Sequence, residues 1–313
     1  MYYPYFRGKQ YELLSLRETS KLLSSSNIIP VIEPVREKLS ALEKCLETLV
    51  KNEVEFILII NPKHGDFKND NLKLVKLIEE KFESYDKLTW GYIINSDSNL
   101  VDITDFTTKY ISNKKAFIHY DFPKGKELAS NISESDNIVK HLFLEGSSSR
   151  LYQRNFRNSY SDRVIVGDGF TKRKNREHPE EEHFSDLHLS YDDIGYDGFG
   201  DFLVVGDDYS ESGGPAYAVA IHITYLDDED DLRIMHFVSD RTESPVDPAG
   251  KFLEALEKLK NEVENNSHIK RTTAIEAFLD FHKRGHFPGL GYVKKLAMNH
   301  HIELLATFLS ENK

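Results

Sequence analysis

The segment Phe56-Ile57-Leu58-Ile59-Ile60-Asn61 is a continuous apolar run that ends at a polar residue. Such a run is typical of a parallel strand buried on both faces, because a strand with one face in water shows alternation instead. Seven further runs of this kind recur at roughly regular spacing: Tyr2–Arg7, Ile28–Glu33, Thr89–Asn95, Ala116–Asp121, Val139–Glu145, Val164–Asp168 and Phe202–Asp207. The stretches between the early runs have the apolar periodicity of amphipathic helices. Eight such units predict an α/β fold, a closed (β/α)8 barrel of the TIM type.

The chain length and the remaining patterns predict how this barrel is extended. The 313 residues fit one barrel with appendages, so we predict a single barrel domain over residues 1–313. Residues 171–197 are polar and charged, which predicts a loop excursion over the barrel mouth or an irregular, helix-bearing one. Apolar alternation in residues 215–240 predicts an inserted β-hairpin. Three helical apolar stripes in residues 248–313 predict extra C-terminal helices.

Composition limits the class of protein and its partners. Hydrophobic residues make up 39% of the chain, enough for a large core, and 52 acidic against 40 basic residues give a formal charge of −12. An acidic surface disfavours nonspecific binding to nucleic acid. The single cysteine, Cys45, excludes an intramolecular disulfide and fits a reducing compartment. No apolar stretch reaches the roughly 18 residues of a membrane span. We therefore expect a soluble, cytoplasmic protein with no membrane partner.

The amino-terminal sequence also resembles a known family. It combines a Tyr-x-Pro strand, a basic residue, a helix start that contains Glu and a Pro-x-Ile/Leu-Glu strand, in Tyr3-Pro4-Tyr5-Phe6-Arg7-Gly8-Lys9-Gln10-Tyr11-Glu12-Leu13 and Ile29-Pro30-Val31-Ile32-Glu33-Pro34-Val35. This pattern resembles the beta-protein family, which is named from a tailed bacteriophage and has many bacterial members. The block Gly206–Tyr217 is similar to a bacterial branch of that family. The resemblance implies a barrel-like α/β fold and a mobile-element or phage-defence context, and it supplies no catalytic residue.

Charged and polar side chains stand at the carboxyl ends of the predicted strands, where barrel proteins carry their chemistry. The predicted catalytic residues are the carboxylates Glu33, Asp121, Glu145 and Asp168. The same four would form an oxygen-rich site for Mg²⁺ or Mn²⁺, because hard divalent cations prefer carboxylates and water. Basic and amide side chains are predicted to hold an anionic group such as phosphate: Arg7, Lys9, Asn61, Lys63 and Arg173. The alternative is that strand-end residues solvate the rim and bond backbone amides.

The histidines and a segment with interleaved aromatic and basic residues are further candidates. His178 lies in the polar segment, and no Cys–His spacing of a structural zinc site occurs, so the histidines are predicted to be solvated or packing residues. His119 precedes Asp121 by two residues, which predicts an acid–base pair or a structural hydrogen-bonded pair. Aromatic and basic residues interleave in Arg150–Arg157, as in a solvated amphipathic helix or a nucleic-acid contact.

Three classes of function fit these patterns. We expect, first, a protein that binds a small anionic, phosphorylated ligand at the C-terminal mouth of the barrel. The second class is a Mg²⁺- or Mn²⁺-dependent phosphodiesterase acting on nucleotides or nucleic acid. The third is a non-catalytic subunit that binds a protein partner through the hairpin and the C-terminal helices. The fold alone does not choose among them, since barrels host many chemistries.

Overall fold

The barrel is present in the computed structural model, which describes residues 1–157, 160–211, 213–265 and 268–312. Its parallel strands, in order around the barrel, are β1 (Tyr2–Phe6), β2 (Val31–Ile32), β3 (Phe56–Ile59), β4 (Leu88–Asn95), β5 (Lys115–Tyr120), β6 (Ile138–Leu144), β7 (Asp162–Gly167) and β9 (Gly198–Asp201). Strand β9 pairs with both β7 and β1 and so closes the sheet. The predicted (β/α)8 TIM-like fold is confirmed.

Helices connect the barrel strands and continue after the last one. They are α1 (Gln10–Ser25), α2 (Ser40–Lys51), α3 (Leu72–Lys81), α4 (Leu100–Lys109), α5 (Gly125–Asn131), α6 (Arg150–Gln153), α7 (Leu187–Ser190), α8 (Pro248–Asn265), α9 (Thr273–Arg284) and α10 (Leu290–Glu311). Helices α6 and α7 have only 4 residues each, so they cover little of the strands beside them. Within the described parts of the chain, none of the helices combines the length and apolarity that a bilayer crossing requires.

The eighth strand differs from the prediction. The run Phe202–Asp207 was predicted to close the barrel, but the closing strand is Gly198–Asp201, and the predicted run contains a short 3-10 turn. The reason is the packing of Tyr3. A Cβ atom on Gly198 would lie 2.7 Å from the ring of Tyr3. A Cβ atom on Gly200 would lie 2.3 Å from the backbone oxygen of Tyr3. The closing strand therefore needs glycines, and a sequence with alternate glycines does not show an apolar run.

The predicted loop excursion over residues 171–197 is only partly a loop. It contains β8 (Glu181–Ser185) and α7. Strand β8 pairs antiparallel with β11 (Leu232–Val238), and β11 pairs antiparallel with β10 (Ala220–Leu226). The predicted hairpin thus exists as β10 and β11, but it belongs to a three-stranded sheet whose third strand comes from the supposed loop.

The chain divides into two compact units, whereas one barrel domain over residues 1–313 was predicted. The first unit is 1–9, 23–167 and 187–201, and it holds the barrel; the second is 10–22, 168–186 and 202–313. The second unit is compact because buried residues of the three-stranded sheet pack against α8 and α10 within it. Helices α8–α10 occupy the segment predicted to be helical, and its residues 266, 267 and 313 lie outside the described residues.

Candidate functional site

Glu33 lies at the end of β2 and is enclosed by hydrogen-bond donors. Its side chain is 1% exposed. One carboxylate oxygen accepts a hydrogen bond from the Tyr5 hydroxyl at 2.9 Å and lies 3.7 Å from Nε of Arg7. The other accepts the backbone N–H groups of Lys63 at 2.8 Å and His64 at 3.0 Å, with Nδ1 of His64 at 3.1 Å. Glu33 therefore ties the ends of β1 and β2 to the loop after β3.

The surroundings of Glu33 also determine its charge. Burial alone would raise the pKa of Glu33, but the hydrogen bond and charge of His64, the charge of Arg7 and the hydrogen bond of Tyr5 outweigh it, and the pKa is lowered. An ionised carboxylate with both oxygens engaged stabilises the barrel end. This geometry corresponds to the rim-bonding alternative of the sequence analysis.

Several of the predicted anion-binding residues have partners within the protein. Asn61 pairs through its side-chain amide with the backbone of Ile93, donating at 2.9 Å and accepting at 2.8 Å, so it extends the pairing of β3 with β4. The Lys63 ammonium lies 3.0 Å from the centroid of the Tyr120 ring, a cation–π contact. Lys9 is half-buried and lies three residues after the end of β1. The convergence of these residues on one anion stays a prediction.

Two predicted site residues belong to the second unit. Arg173 donates two hydrogen bonds to the carboxylate of Glu182, at 2.5 and 2.8 Å. Asp168 accepts the backbone N–H groups of Phe170 at 3.1 Å and Asp207 at 2.8 Å, so it organises a turn. Both side chains are therefore engaged within their own unit.

The four carboxylates predicted to bind Mg²⁺ or Mn²⁺ are not among the groups of potential metal ligands found in the described residues. Across residues 1–157, 160–211, 213–265 and 268–312, the one group of three potential ligand residues with atoms within 4.8 Å of one another consists of histidines. None of Glu33, Asp121, Glu145 and Asp168 belongs to it. Glu33 and Asp168 are each bound to nearby backbone amides. The four-carboxylate site therefore stays a prediction.

Asp121 and Glu145, in contrast, share a pocket of about 890 Å³. Both are exposed and follow β5 and β6 directly. The charged side chains that line the pocket are three carboxylates and three guanidinium groups: Asp121, Glu145, Asp193, Arg150, Arg157 and Arg163. The short helix α6 and the serines before it form another part of the wall.

The pocket extends along the outer side of the barrel. Arg163 and Ile165 line it and share one face of β7, because alternate residues of a strand point the same way. Their register partners in β6, His141 and Phe143, pack against Phe156 in the segment that follows β6. The pocket therefore reaches from the strand-end carboxylates down the helix-covered flank, rather than into the centre of the mouth as the sequence predicted.

Three arginines act on the phenol of Tyr196. Burial raises the pKa of Tyr196, and the charges of Arg163, Arg150 and Arg157 oppose that rise. The Arg163 guanidinium lies 4.7 Å from the Tyr196 ring centroid and donates to the backbone oxygen of Gly195 at 2.6 Å. Burial lowers the pKa of Arg163 itself. The three guanidinium groups and the carboxylate of Glu145 thus all lie close enough to Tyr196 to act on its phenol.

Beside this pocket lies a buried pair of histidines. Nδ1 of His119 lies 2.6 Å from the Tyr152 hydroxyl oxygen, and Nε2 of His119 lies 2.9 Å from Nδ1 of His141. Burial lowers the pKa of both imidazoles, that of His141 to about 3, so the pair is neutral. The predicted pairing of His119 with Asp121 does not form. Asp121 adopts a φ of 68°, so the chain leaves the strand there and the alternation rule no longer applies.

Sequence reasoning missed part of this pocket. It singled out Arg150–Arg157 as a basic patch, and the structure places that patch beside Asp121 and Glu145. It overlooked Arg163, whose position directly before the apolar run of β7 was a usable signal. Tyr196 carried no signal, because it lies in a polar stretch whose path only the fold determines.

Comparison with known proteins identifies no family. No family model matches the chain, and no curated protein matches it. A solved structure of a mutant Thermobaculum terrenum O-GlcNAc hydrolase is similar at 12% identity, covers 65% of this chain and 54% of that chain, and has a TM-score of 0.38. The chain thus spans about half the length of that hydrolase. Neither result tests the resemblance to the beta-protein family, which stays a prediction.

Proposed function

We propose that the pocket beside β5, β6 and β7 binds a small phosphorylated ligand. The observation that carries this proposal is the presence of Arg150, Arg157 and Arg163 in one pocket of about 890 Å³, within the usual size range for small-molecule sites. A guanidinium group offers a planar fork of donors that matches phosphate oxygens. This keeps the anionic ligand of the sequence analysis but assigns different residues to it.

Arg163 supplies a fixed part of the phosphate site. It is 8% exposed, and its buried Nε atom has no hydrogen-bond partner within the protein. The bond to Gly195 and the contact with Tyr196 hold the guanidinium in place. A buried donor without an acceptor is costly, and a ligand oxygen would satisfy it. Arg150 and Arg157 are exposed and are able to close on the same anion.

The acidic residues determine what accompanies the phosphate. Ionised carboxylates such as those of Asp121, Glu145 and Asp193 only accept hydrogen bonds, so they suit hydroxyl donors. The three carboxylates balance the three guanidinium groups in the lining. The carboxylates would repel a ligand that carries only negative groups. A sugar phosphate or a nucleotide, in contrast, offers hydroxyl groups to the carboxylates and a phosphate to the guanidinium groups. We therefore favour a phosphorylated polyol or nucleotide as the ligand class.

The other two classes of function have less support. A metal-dependent phosphodiesterase would use the four predicted carboxylates, which are not among the potential ligand groups of the described residues. A docking role for the hairpin and C-terminal helices has no particular contact in its favour. The mobile-element or phage-defence context rests on the family resemblance and stays a prediction.

Calorimetry with matched ligand pairs tests the proposal. Ribose 5-phosphate and a nucleoside monophosphate should bind more tightly than ribose and the nucleoside. The double substitution Arg150→Ala/Arg157→Ala should weaken phosphate-dependent binding by about tenfold or more, since a hydrogen bond to a charged group contributes about 1.5–3 kcal/mol.

Arg154→Ala is the matched control. Arg154 is an exposed arginine in the same segment, and it does not line the pocket. It should bind like the wild-type chain. Equal binding of phosphorylated and unphosphorylated compounds, or equal behaviour of the double variant and Arg154→Ala, would contradict the proposal.

A further inference from the structure

Three histidines from separate segments of the second unit meet in one cluster. His222 and His236 are register partners in β10 and β11, and their Nδ1 atoms are 2.7 Å apart. His178 follows the 3-10 turn Asn175–Glu177, and its ring centroid lies 4.3 Å from that of His236 and 4.9 Å from that of His222. One ligand atom from each residue lies within 4.8 Å of the other two. We call these residues the trihistidine cluster.

A carboxylate fixes the tautomer of one of these rings. An oxygen of Glu182 lies 3.1 Å from Nε2 of His236, and the same carboxylate accepts two hydrogen bonds from Arg173. A carboxylate that accepts two hydrogen bonds from a guanidinium group is an acceptor toward His236 as well. His236 therefore carries a proton on Nε2. In the neutral ring, the lone pair of Nδ1 then points toward His222.

His178 contributes a nitrogen that is open to a metal ion. Metals bind histidine through a ring nitrogen that carries no proton. The His178 side chain is 1% exposed, and its buried Nδ1 has no hydrogen-bond partner. The cluster therefore contains a buried nitrogen whose hydrogen-bonding capacity the protein does not use.

We propose that the trihistidine cluster of His178, His222 and His236 is a Zn²⁺ site. Three imidazole nitrogens without a thiolate suit zinc, whereas Mg²⁺ and Mn²⁺ prefer oxygen ligands. Three protein ligands leave a fourth position for water or another small ligand. The site lies wholly in the second unit and is independent of the proposed phosphate pocket.

The distances are compatible with coordination after small side-chain rotations. In a tetrahedral site with Zn–N bonds of about 2.0–2.1 Å, the nitrogens lie about 3.3 Å apart. The separation of 2.7 Å between His222 and His236 and the upper bound of 4.8 Å within the cluster bracket that value. Glu182 takes the position of the carboxylate that orients a zinc-bound histidine, and Arg173 holds the carboxylate.

Metal titration of the full chain tests the proposal. After treatment with EDTA and dialysis, the chain is titrated with Zn²⁺ against a chromophoric chelator, and with Co²⁺ monitored by visible absorption. We expect one tight equivalent of Zn²⁺ and the intense absorption of four-coordinate Co²⁺. His222→Ala or His236→Ala should abolish this equivalent. Glu182→Gln should weaken it by about 10- to 100-fold.

His183→Ala is the matched control. His183 lies on β8 next to Glu182 and outside the cluster, and its side chain is 55% exposed. This variant should bind one equivalent like the wild-type chain. The wild-type titration decides the question even if a cluster variant fails to fold. Failure to bind one equivalent, or weak Co²⁺ absorption, would overturn the proposal, as would unchanged binding in folded His222→Ala and His236→Ala proteins.

Discussion

Glu33 and Glu145 occupy equivalent positions, one residue after a barrel strand, yet their surroundings differ completely. Glu33 is buried, and both of its oxygens accept hydrogen bonds from the ends of neighbouring elements. Glu145 is exposed, and its side chain borders a pocket. Both residues therefore share the position at a strand end. They differ in the number of hydrogen-bond donors that neighbouring segments supply: Glu33 stabilises the fold, whereas Glu145 is available to a ligand.

The largest effect that tests this comparison is on stability. Glu33→Ala removes the acceptor for several donors and leaves the buried Arg7 without this carboxylate, so we expect a loss of about 3–5 kcal/mol in the free energy of unfolding. Glu145→Ala should change it by less than about 0.5 kcal/mol, because it alters an exposed residue. Urea unfolding measures both. Losses of similar size in the two variants would remove the distinction.

A smaller effect is expected at the next strand end. Asn61→Ala removes both hydrogen bonds that the side chain makes with the backbone of Ile93. Leaving these groups unpaired should cost about 1–3 kcal/mol. Thermal and urea unfolding of this variant should place it between Glu33→Ala and Glu145→Ala. A change no larger than that of Glu145→Ala would show that water replaces the amide at this position.

The pH dependence of stability sharpens the comparison further. The pKa of Glu33 in the folded chain is lowered from an ordinary value of 4.5. Its ionisation therefore stabilises the fold above that pH, and this contribution is lost as the pH falls through the folded pKa. The difference in unfolding free energy between wild type and Glu33→Gln should narrow as the pH falls below 4.5. A difference that stays constant or grows in acid would contradict this assignment.

The smallest effect on stability is expected in the pocket, where the change should appear in recognition instead. Asp121→Asn and Glu145→Gln should alter the unfolding free energy by less than about 0.5 kcal/mol. Both should weaken binding of a sugar phosphate, because its hydroxyl donors lose charged acceptors, and should leave binding of inorganic phosphate unchanged or tighter. If both variants bind the sugar phosphate like the wild type, these carboxylates do not contact the ligand.

Local pattern was informative where a structure depends on neighbouring residues. The run Phe56–Asn61 predicted β3 because a strand buried on both faces requires continuous apolar residues. The same logic failed for β9, where the packing of Tyr3 requires Gly198 and Gly200. It also failed for β8, whose polar sequence becomes a strand because β11 supplies a pairing edge.

The candidate sites show the same division between local and long-range determinants. The strands formed by apolar runs, the alternation of the hairpin and the position of Asp121 and Glu145 at strand ends were determined by the sequence, since each depends on residues close together in the chain. Only the tertiary structure decided that Glu33 is enclosed by donors, that Arg163 joins Arg150 and Arg157, and that the trihistidine cluster forms. These features depend on contacts between segments far apart in the chain. Burial and hydrogen bonding there set charge and accessibility, which the sequence pattern does not encode.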